Sequence, residues 1–131
     1  MKEEYLFVYG TLKRNIKNSK NDLLKKYASF VGEGFVYGKL YKVSYYPGAV
    51  LDDKRKHKIY GEIYKLKDPV SAFKVLDRYE ECGEEFKEPW EYRRVKTKAF
   101  LKDGEMEVWI YEFQEEVKER DRIESGVFTV L

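Results

Sequence analysis

Apolar residues in this chain come in short runs, and the spacing inside each run decides what it predicts. The first run, Tyr5-Leu6-Phe7-Val8-Tyr9, is continuous, rich in aromatic and β-branched residues, and stopped by Gly10. It reads as a buried strand ending in a glycine turn. Lys13 to Asn21 is polar and basic, a loop, with Ser19 and Asp22 spaced like a capping box that has Asp in place of Glu. Leu23, Leu24, Tyr27, Phe30 and Val31 then follow helical spacing up to Gly32, a candidate carboxyl-terminal cap.

Phe35 to Val43 alternates as a strand and breaks at Tyr45-Tyr46-Pro47-Gly48, where Pro presets φ and Gly accepts a positive one. Ala49 to Leu51 resumes a short strand. Asp52 to Lys58 is charged and reads as a solvated hairpin end, with His57 a surface residue. In Ile59 to Tyr64 the period is two: Ile59, Gly61 and Ile63 share one face, Tyr60, Glu62 and Tyr64 the other. Glu62 between two tyrosines is either a chemical constellation or an exposed acid flanked by amphipathic rings.

Asp68-Pro69 starts a second helix, with Asp as N-cap and Pro at the first helical position. Val70, Phe73, Val75, Leu76 and Tyr79 supply its apolar contacts, and it runs into Glu80-Glu81-Cys82-Gly83. Tyr92 to Leu101 and Met106 to Phe113 form strands joined through Asp103-Gly104, a tight-hairpin signal. The Lys and Arg residues of the first of these read as a solvated edge. Glu115 to Glu124 is a charged turn or loop, and Val127 to Leu131 a last short strand. The sum is six or seven strands, mostly antiparallel, with two flanking helices. That predicts one α+β domain over residues 1–131 whose sheet closes partly or fully into a barrel.

Composition narrows the picture. The 131 residues are 43% hydrophobic and 17% aromatic, which argues for a packed core. A net charge of +2 from 26 basic and 24 acidic residues gives no concentrated basic face, so a nucleic-acid partner is not expected. One cysteine and one histidine exclude an internal disulfide and a cysteine- or histidine-built metal site. The opening Met-Lys-Glu-Glu is no signal peptide, and no apolar run approaches the ~20 residues of a membrane span. The expectation is a cytoplasmic protein without membrane contact, its oligomeric state open. Charged residues at 38% resemble the usage of hyperthermophile proteins.

Three apolar-to-polar junctions can meet at a barrel mouth: Tyr9-Gly10-Thr11-Leu12, Tyr46-Pro47-Gly48, and the helix end at Glu80-Glu81. Successive amides in a glycine turn are donors for an anion or a carbonyl oxygen. A carboxylate at the helix end is either a partly buried acid with raised pKa, suited to proton transfer, or one of two solvated neighbours. Cys82 has no histidine partner nearby in sequence and is not expected to act as a nucleophile. Asp77, Glu80 and Glu84 match no calcium loop.

Taken together, Phe7-Val8-Tyr9-Gly10-Thr11-Leu12, Tyr46-Pro47-Gly48, Tyr60-Gly61-Glu62-Ile63-Tyr64, Leu76-Asp77-Arg78-Tyr79-Glu80 and Tyr92-Arg93 resemble the gamma-glutamylcyclotransferase-like family, including the gamma-glutamylamine cyclotransferases. The resemblance covers Tyr5 to about Tyr111. It implies a small mixed barrel with the Tyr9–Leu12 loop at its cavity. It also implies that Glu80, closing Leu-Asp-x-Tyr-Glu, is the catalytic acid/base, with Glu81 the alternative register. Tyr9, Gly10, Thr11, Leu12 and Tyr46 would bind substrate. The family most often has Ser where this chain has Thr11; a hydroxyl is kept and a methyl added. The implied reaction turns a small gamma-glutamyl substrate into 5-oxoproline with no metal or cofactor. A non-catalytic small-molecule-binding protein of the same fold is the alternative.

Overall fold

The computed structural model of the chain describes residues 3–14 and 20–129. Its strands are β1 (Tyr5–Val8), β2 (Ala28–Lys42), β3 (Pro47–Leu51), β4 (Lys58–Leu66), β5 (Tyr92–Leu101) and β6 (Gly104–Phe113). They are ordered β1-β4-β2-β3-β6, and β6 returns to β1 where Leu6 lies opposite Trp109. Five strands therefore close into a barrel. β5 lies outside the ring, paired along its length with β6 and reaching β2 only at Phe35 opposite Phe100. The β1–β6 and β3–β6 pairings are parallel and the others antiparallel. Helices α1 (Asn21–Lys25) and α2 (Pro69–Tyr79) complete an α+β barrel of the kind the patterning anticipates, its sheet mixed as the resemblance implies.

The first apolar run is continuous rather than alternating because β1 is buried on both faces. Phe7 joins the barrel interior with Val36, Leu40, Ile59, Ile63 and Ile110. Leu6 and Val8 join a second cluster with Leu24, Ala72 and Leu76 from the helices. Burial of each such side chain contributes about 1.5–3 kcal/mol, so this strand ties the two halves of the core together.

Helix α2 starts where the sequence indicates, with Pro69 at its first turn and the Ala72 amide donating to the Asp68 carbonyl at 2.9 Å. The Asp68 side chain does not cap the backbone; it accepts from the Ser71 hydroxyl at 2.7 Å. Ala72 and Leu76 are buried with Phe73 and Tyr79 packed beside them, while Val70, expected among the contacts, is 81% exposed. The buried positions are 72 and 76, one turn apart, and Val70 points away from them.

Four expectations are corrected. The first helix stops at Lys25, and Ala28 to Val31 belong to β2, with Ala28 opposite Leu66 and Phe30 opposite Tyr64. A short helix is marginal by itself, whereas the long β2 is hydrogen-bonded to both β3 and β4. The register shifts at a bulge between Phe30 and Gly32, where the adjacent apolar residues Phe30 and Val31 fall. Ser19 of the capping box, with the rest of residues 15–19, lies outside the described residues.

Pro47-Gly48 opens β3 rather than forming the turn, which falls at residues 44–46. Proline tolerates the first position of a strand. Residues 52–57 are no hairpin end: β3 and β4 flank β2 on opposite sides, so this segment crosses from one side to the other. His57 is half-buried there, its Nδ1 2.6 Å from an Arg122 guanidinium nitrogen. Finally, residues 127–129 form no strand. Tyr60 donates its amide to the Gly126 carbonyl at 2.8 Å, and Phe128 is buried in the barrel core; residues 130–131 lie outside the described residues. Among the described residues, no helix is long and apolar enough to cross a membrane.

Candidate active site

The three junctions singled out from sequence meet in one cavity of about 240 Å³. Tyr9, Gly10, Thr11 and Leu12 from the end of β1, Tyr46 and Pro47 from the turn into β3, and Tyr79 to Glu81 from the end of α2 all line it. Tyr45, Tyr92 and Tyr111 complete an aromatic wall.

Glu80 reaches the cavity because it stands four and eight residues after the buried Leu76 and Ala72, on the same helical face. Glu81 has left that face. Its φ is +56°, a left-handed residue just past the helix. The Cys82 amide donates to the Asp77 carbonyl (2.9 Å) and the Glu81 amide to that of Arg78 (3.1 Å). This is the Schellman arrangement, with Glu81 where glycine is usual. It fixes Glu80 as the C-cap residue and turns Glu81 outward, exposed at the cavity rim.

Burial raises the Glu80 carboxyl to a pKa of about 8, and the nearby acids Glu91 and Asp77 push in the same direction. No hydrogen bond to its carboxylate is made by any described residue. A carboxylate that is neither paired nor fully solvated is a proton acceptor matched to neutral or mildly alkaline conditions.

The glycine loop supplies the opposite polarity. Among the described residues, the amides of Gly10 and Leu12 donate to no protein group. The loop is fixed at both ends: the Lys13 amide donates to the Gly10 carbonyl (3.0 Å), and the Asn21 side-chain amide to the Leu12 carbonyl (2.8 Å). Gly10 is required by packing, since a Cβ there would lie 2.9 Å from ring carbons of Pro47. Thr11 shares a 2.9 Å hydrogen bond with the Tyr79 hydroxyl, linking the loop to α2.

The tyrosines are mostly committed to the protein. Tyr9 is buried, donates to the Tyr111 carbonyl (2.6 Å) and accepts from the Ala49 amide (3.2 Å), so it forms wall rather than a free hydroxyl. Tyr92 donates to the Pro47 carbonyl at 2.6 Å. Tyr46 donates to Glu91, its hydroxyl 2.9 Å from each carboxylate oxygen, and burial with this bond raises its pKa to about 12.

Other sequence candidates fall elsewhere. Glu62 is neither exposed nor at this cavity: it is buried, accepts from the Arg14 amide (3.0 Å), Arg14 Nε (3.2 Å) and the Tyr64 hydroxyl (2.9 Å), and so anchors the far end of the glycine loop. Cys82 is buried and its thiol is pushed up to about 11, chiefly by burial, which leaves little thiolate at neutral pH. Asp77 is engaged by Tyr111 and Arg94. Tyr79, Tyr92 and Tyr111 line the cavity although the pattern reading gave them no site role; their places along strands or near a helix end carry no sign of convergence.

A family model described as Gamma-glutamyl cyclotransferase, AIG2-like matches residues 6–130. No curated protein matches by sequence. Among solved structures, YkqA from Bacillus subtilis is similar with a TM-score of 0.72 at 23% identity, over 97% of this chain and 40% of that one. The chain thus spans about two fifths of that protein's length. The uncharacterized protein PH0828 from Pyrococcus horikoshii gives 0.65 at 26% identity, over 95% and 89% of the two chains. An AIG2-like protein from Mus musculus gives 0.68 at 23% identity, over 91% and 82%. These likenesses establish the fold.

Proposed function

We propose that this chain, which belongs to the gamma-glutamyl cyclotransferase, AIG2-like family, cyclises a gamma-glutamyl amine or peptide to 5-oxoproline and releases the amine. The observation that carries this reading is Glu80, a cavity-lining carboxyl with its pKa raised to about 8, across from a glycine loop with amides to spare. A free α-ammonium has a pKa of ~8, so proton transfer from substrate to Glu80 is close to balanced.

The deprotonated α-nitrogen attacks the γ-carbonyl carbon of the same molecule and a C–N bond forms. The carbonyl oxygen takes up negative charge, which the Gly10 and Leu12 amides are suited to hold. As the tetrahedral species collapses, the bond to the leaving nitrogen breaks and Glu80 delivers the proton it took. Overall, two protons leave the α-nitrogen and two reach the departing amine, one carried by Glu80 and one exchanged through solvent, so neither water nor a cofactor is consumed. Nucleophile and electrophile are already tethered, and holding them in a reactive geometry is much of the task. The added methyl of Thr11 restricts the pocket, while its hydroxyl is held by Tyr79. We place the reaction in the cytoplasm, where a lone reduced Cys82 needs no partner.

The test is the fate of oxygen. In water enriched in ¹⁸O, turnover of a panel of gamma-glutamyl amines, amino acids and peptides is expected to give unlabelled 5-oxoproline with one equivalent of amine. Labelled glutamate as the product would make the protein a hydrolase instead.

A further inference from the structure

Behind Glu80, away from the cavity, lies a second carboxylate that the reaction does not use. Asp77 stands three residues earlier on α2 and is saturated with partners. Its Oδ1 accepts from the Tyr111 hydroxyl at 2.6 Å and from Arg94 Nε at 2.9 Å; its Oδ2 accepts from the second Arg94 nitrogen at 3.2 Å. Asp77 and Arg94 are both largely buried, with side-chain exposures of 22% and 24%. Arg94 is flanked by two rings, its guanidinium carbon 3.8 Å from the Phe73 centroid and 4.6 Å from that of Trp109. An arginine held by a two-pronged carboxylate contact and aromatic faces has few alternatives open to it. The set joins α2 through Asp77 and Phe73, β5 through Arg94, and β6 through Tyr111 and Trp109.

We propose that Asp77, clamped by Arg94 and Tyr111, is a positioning residue for Glu80: it fixes the last turn of α2 against β5 and β6, and the Asp77–Arg94 charge balance sets the field in which Glu80 exchanges its proton. The proposal rests on the cyclotransferase reading for its catalytic meaning but not for its physics. The charged and titratable groups near Glu80 are Asp77 and Tyr79 on α2, Cys82 just after it, Tyr9 just past β1, Glu91 just before β5, Tyr92 at its start, and Tyr111 on β6. Burial and two acids favour the protonated form of Glu80. Arg94 is the counter-charge that keeps Asp77 from adding its full weight.

The two partners therefore have opposite effects. Replacing Asp77 by Asn removes a negative charge and frees a positive one, which favours ionised Glu80. Replacing Arg94 by Gln leaves Asp77 uncompensated, which favours the protonated form. A clamp that was merely structural would behave otherwise: either substitution would loosen the helix end, admit water and move Glu80 toward its solution value.

The experiment is a carboxyl ¹³C NMR titration of Glu80, assigned with Glu80→Gln, in wild type, Asp77→Asn, Arg94→Gln and Arg94→Lys. The expected result is a midpoint lowered by about one pH unit in Asp77→Asn and raised by about one in Arg94→Gln, a tenfold change each way for a charge at this range. Arg94→Lys, which keeps the charge if the glutamine variant fails to fold, is expected to restore most of the wild-type midpoint. Midpoints that fall together, or do not move, overturn the proposal. Opposite shifts in a protein that releases no 5-oxoproline would leave the clamp standing and reject the cyclotransferase reading; turnover with unmoved midpoints would do the reverse.

Discussion

At the scale of single residues, the site turns on one carboxyl kept where it prefers its proton. Glu80 titrates near about 8 in the folded chain against 4.5 for the ordinary side chain. Between those values the folded state binds a proton that the unfolded state has lost. Stability therefore falls as pH rises through this window and levels off above it. Glu80→Gln carries no such cost. Its stability relative to wild type is expected to climb by about 1.4 kcal/mol per pH unit across the window and then hold constant, as urea midpoints at a series of pH values would record. A difference independent of pH would mean that Glu80 is solvated. The pattern put a carboxylate at the end of α2 and left Glu80 and Glu81 open; the resemblance chose Glu80, and the four-residue step from the buried Leu76 is what turns that side chain to the cavity. The clamp behind it was not legible. Asp77 and Arg94 lie on different elements, and nothing in either local pattern announces that they meet. Arg94 looked like one more basic residue on a strand edge.

At the scale of elements, the glycine loop shows how a short segment is held by distant ones. Glu62 of β4 receives Arg14, Asn21 holds the Leu12 carbonyl, and Thr11 meets Tyr79 of α2. Gly10 packs against the ring of Pro47, which opens β3. Gly10→Val places branched carbons against that ring. The expected cost is about 1–3 kcal/mol of stability, with KM raised because the loop is displaced from the cavity. Denaturant midpoints and steady-state kinetics measured together check both, and an unchanged KM would make the loop structural only. Strands β4, β5 and β6 were readable because their periods are clean, and β1 because its apolar run is short, continuous and stopped by Gly10. The first helix was misread because Tyr27, Phe30 and Val31 fit a helical spacing locally, while the strand that claims Phe30 and Val31 gains its ladder from β4, some thirty residues away in sequence. Glu62 was half read: its strand face was right, but its burial depends on Arg14, which no periodicity places.

For the whole molecule, barrel closure is what turns three separate junctions into a cavity. The parallel contact of β1 with β6 completes the ring, and the ends of β1, the β2–β3 turn and α2 then share one mouth. A mixed sheet closed by a parallel pairing could not be derived from strand periods, although the presence of a mouth could. The central claim is that this mouth performs intramolecular cyclisation with Glu80 as the acid/base. The direct measurement is kcat/KM for 5-oxoproline release from about pH 6 to 10, in wild type beside Glu80→Gln and Glu81→Gln. Productive encounter needs one proton shared between Glu80 and the substrate amine. With both groups titrating near about 8, the profile is expected to peak there and fall about tenfold per unit on either side. Glu80→Gln should lose at least about a hundredfold, and Glu81→Gln should remain close to wild type. A folded Glu80→Gln variant that releases 5-oxoproline at the wild-type rate would contradict the account.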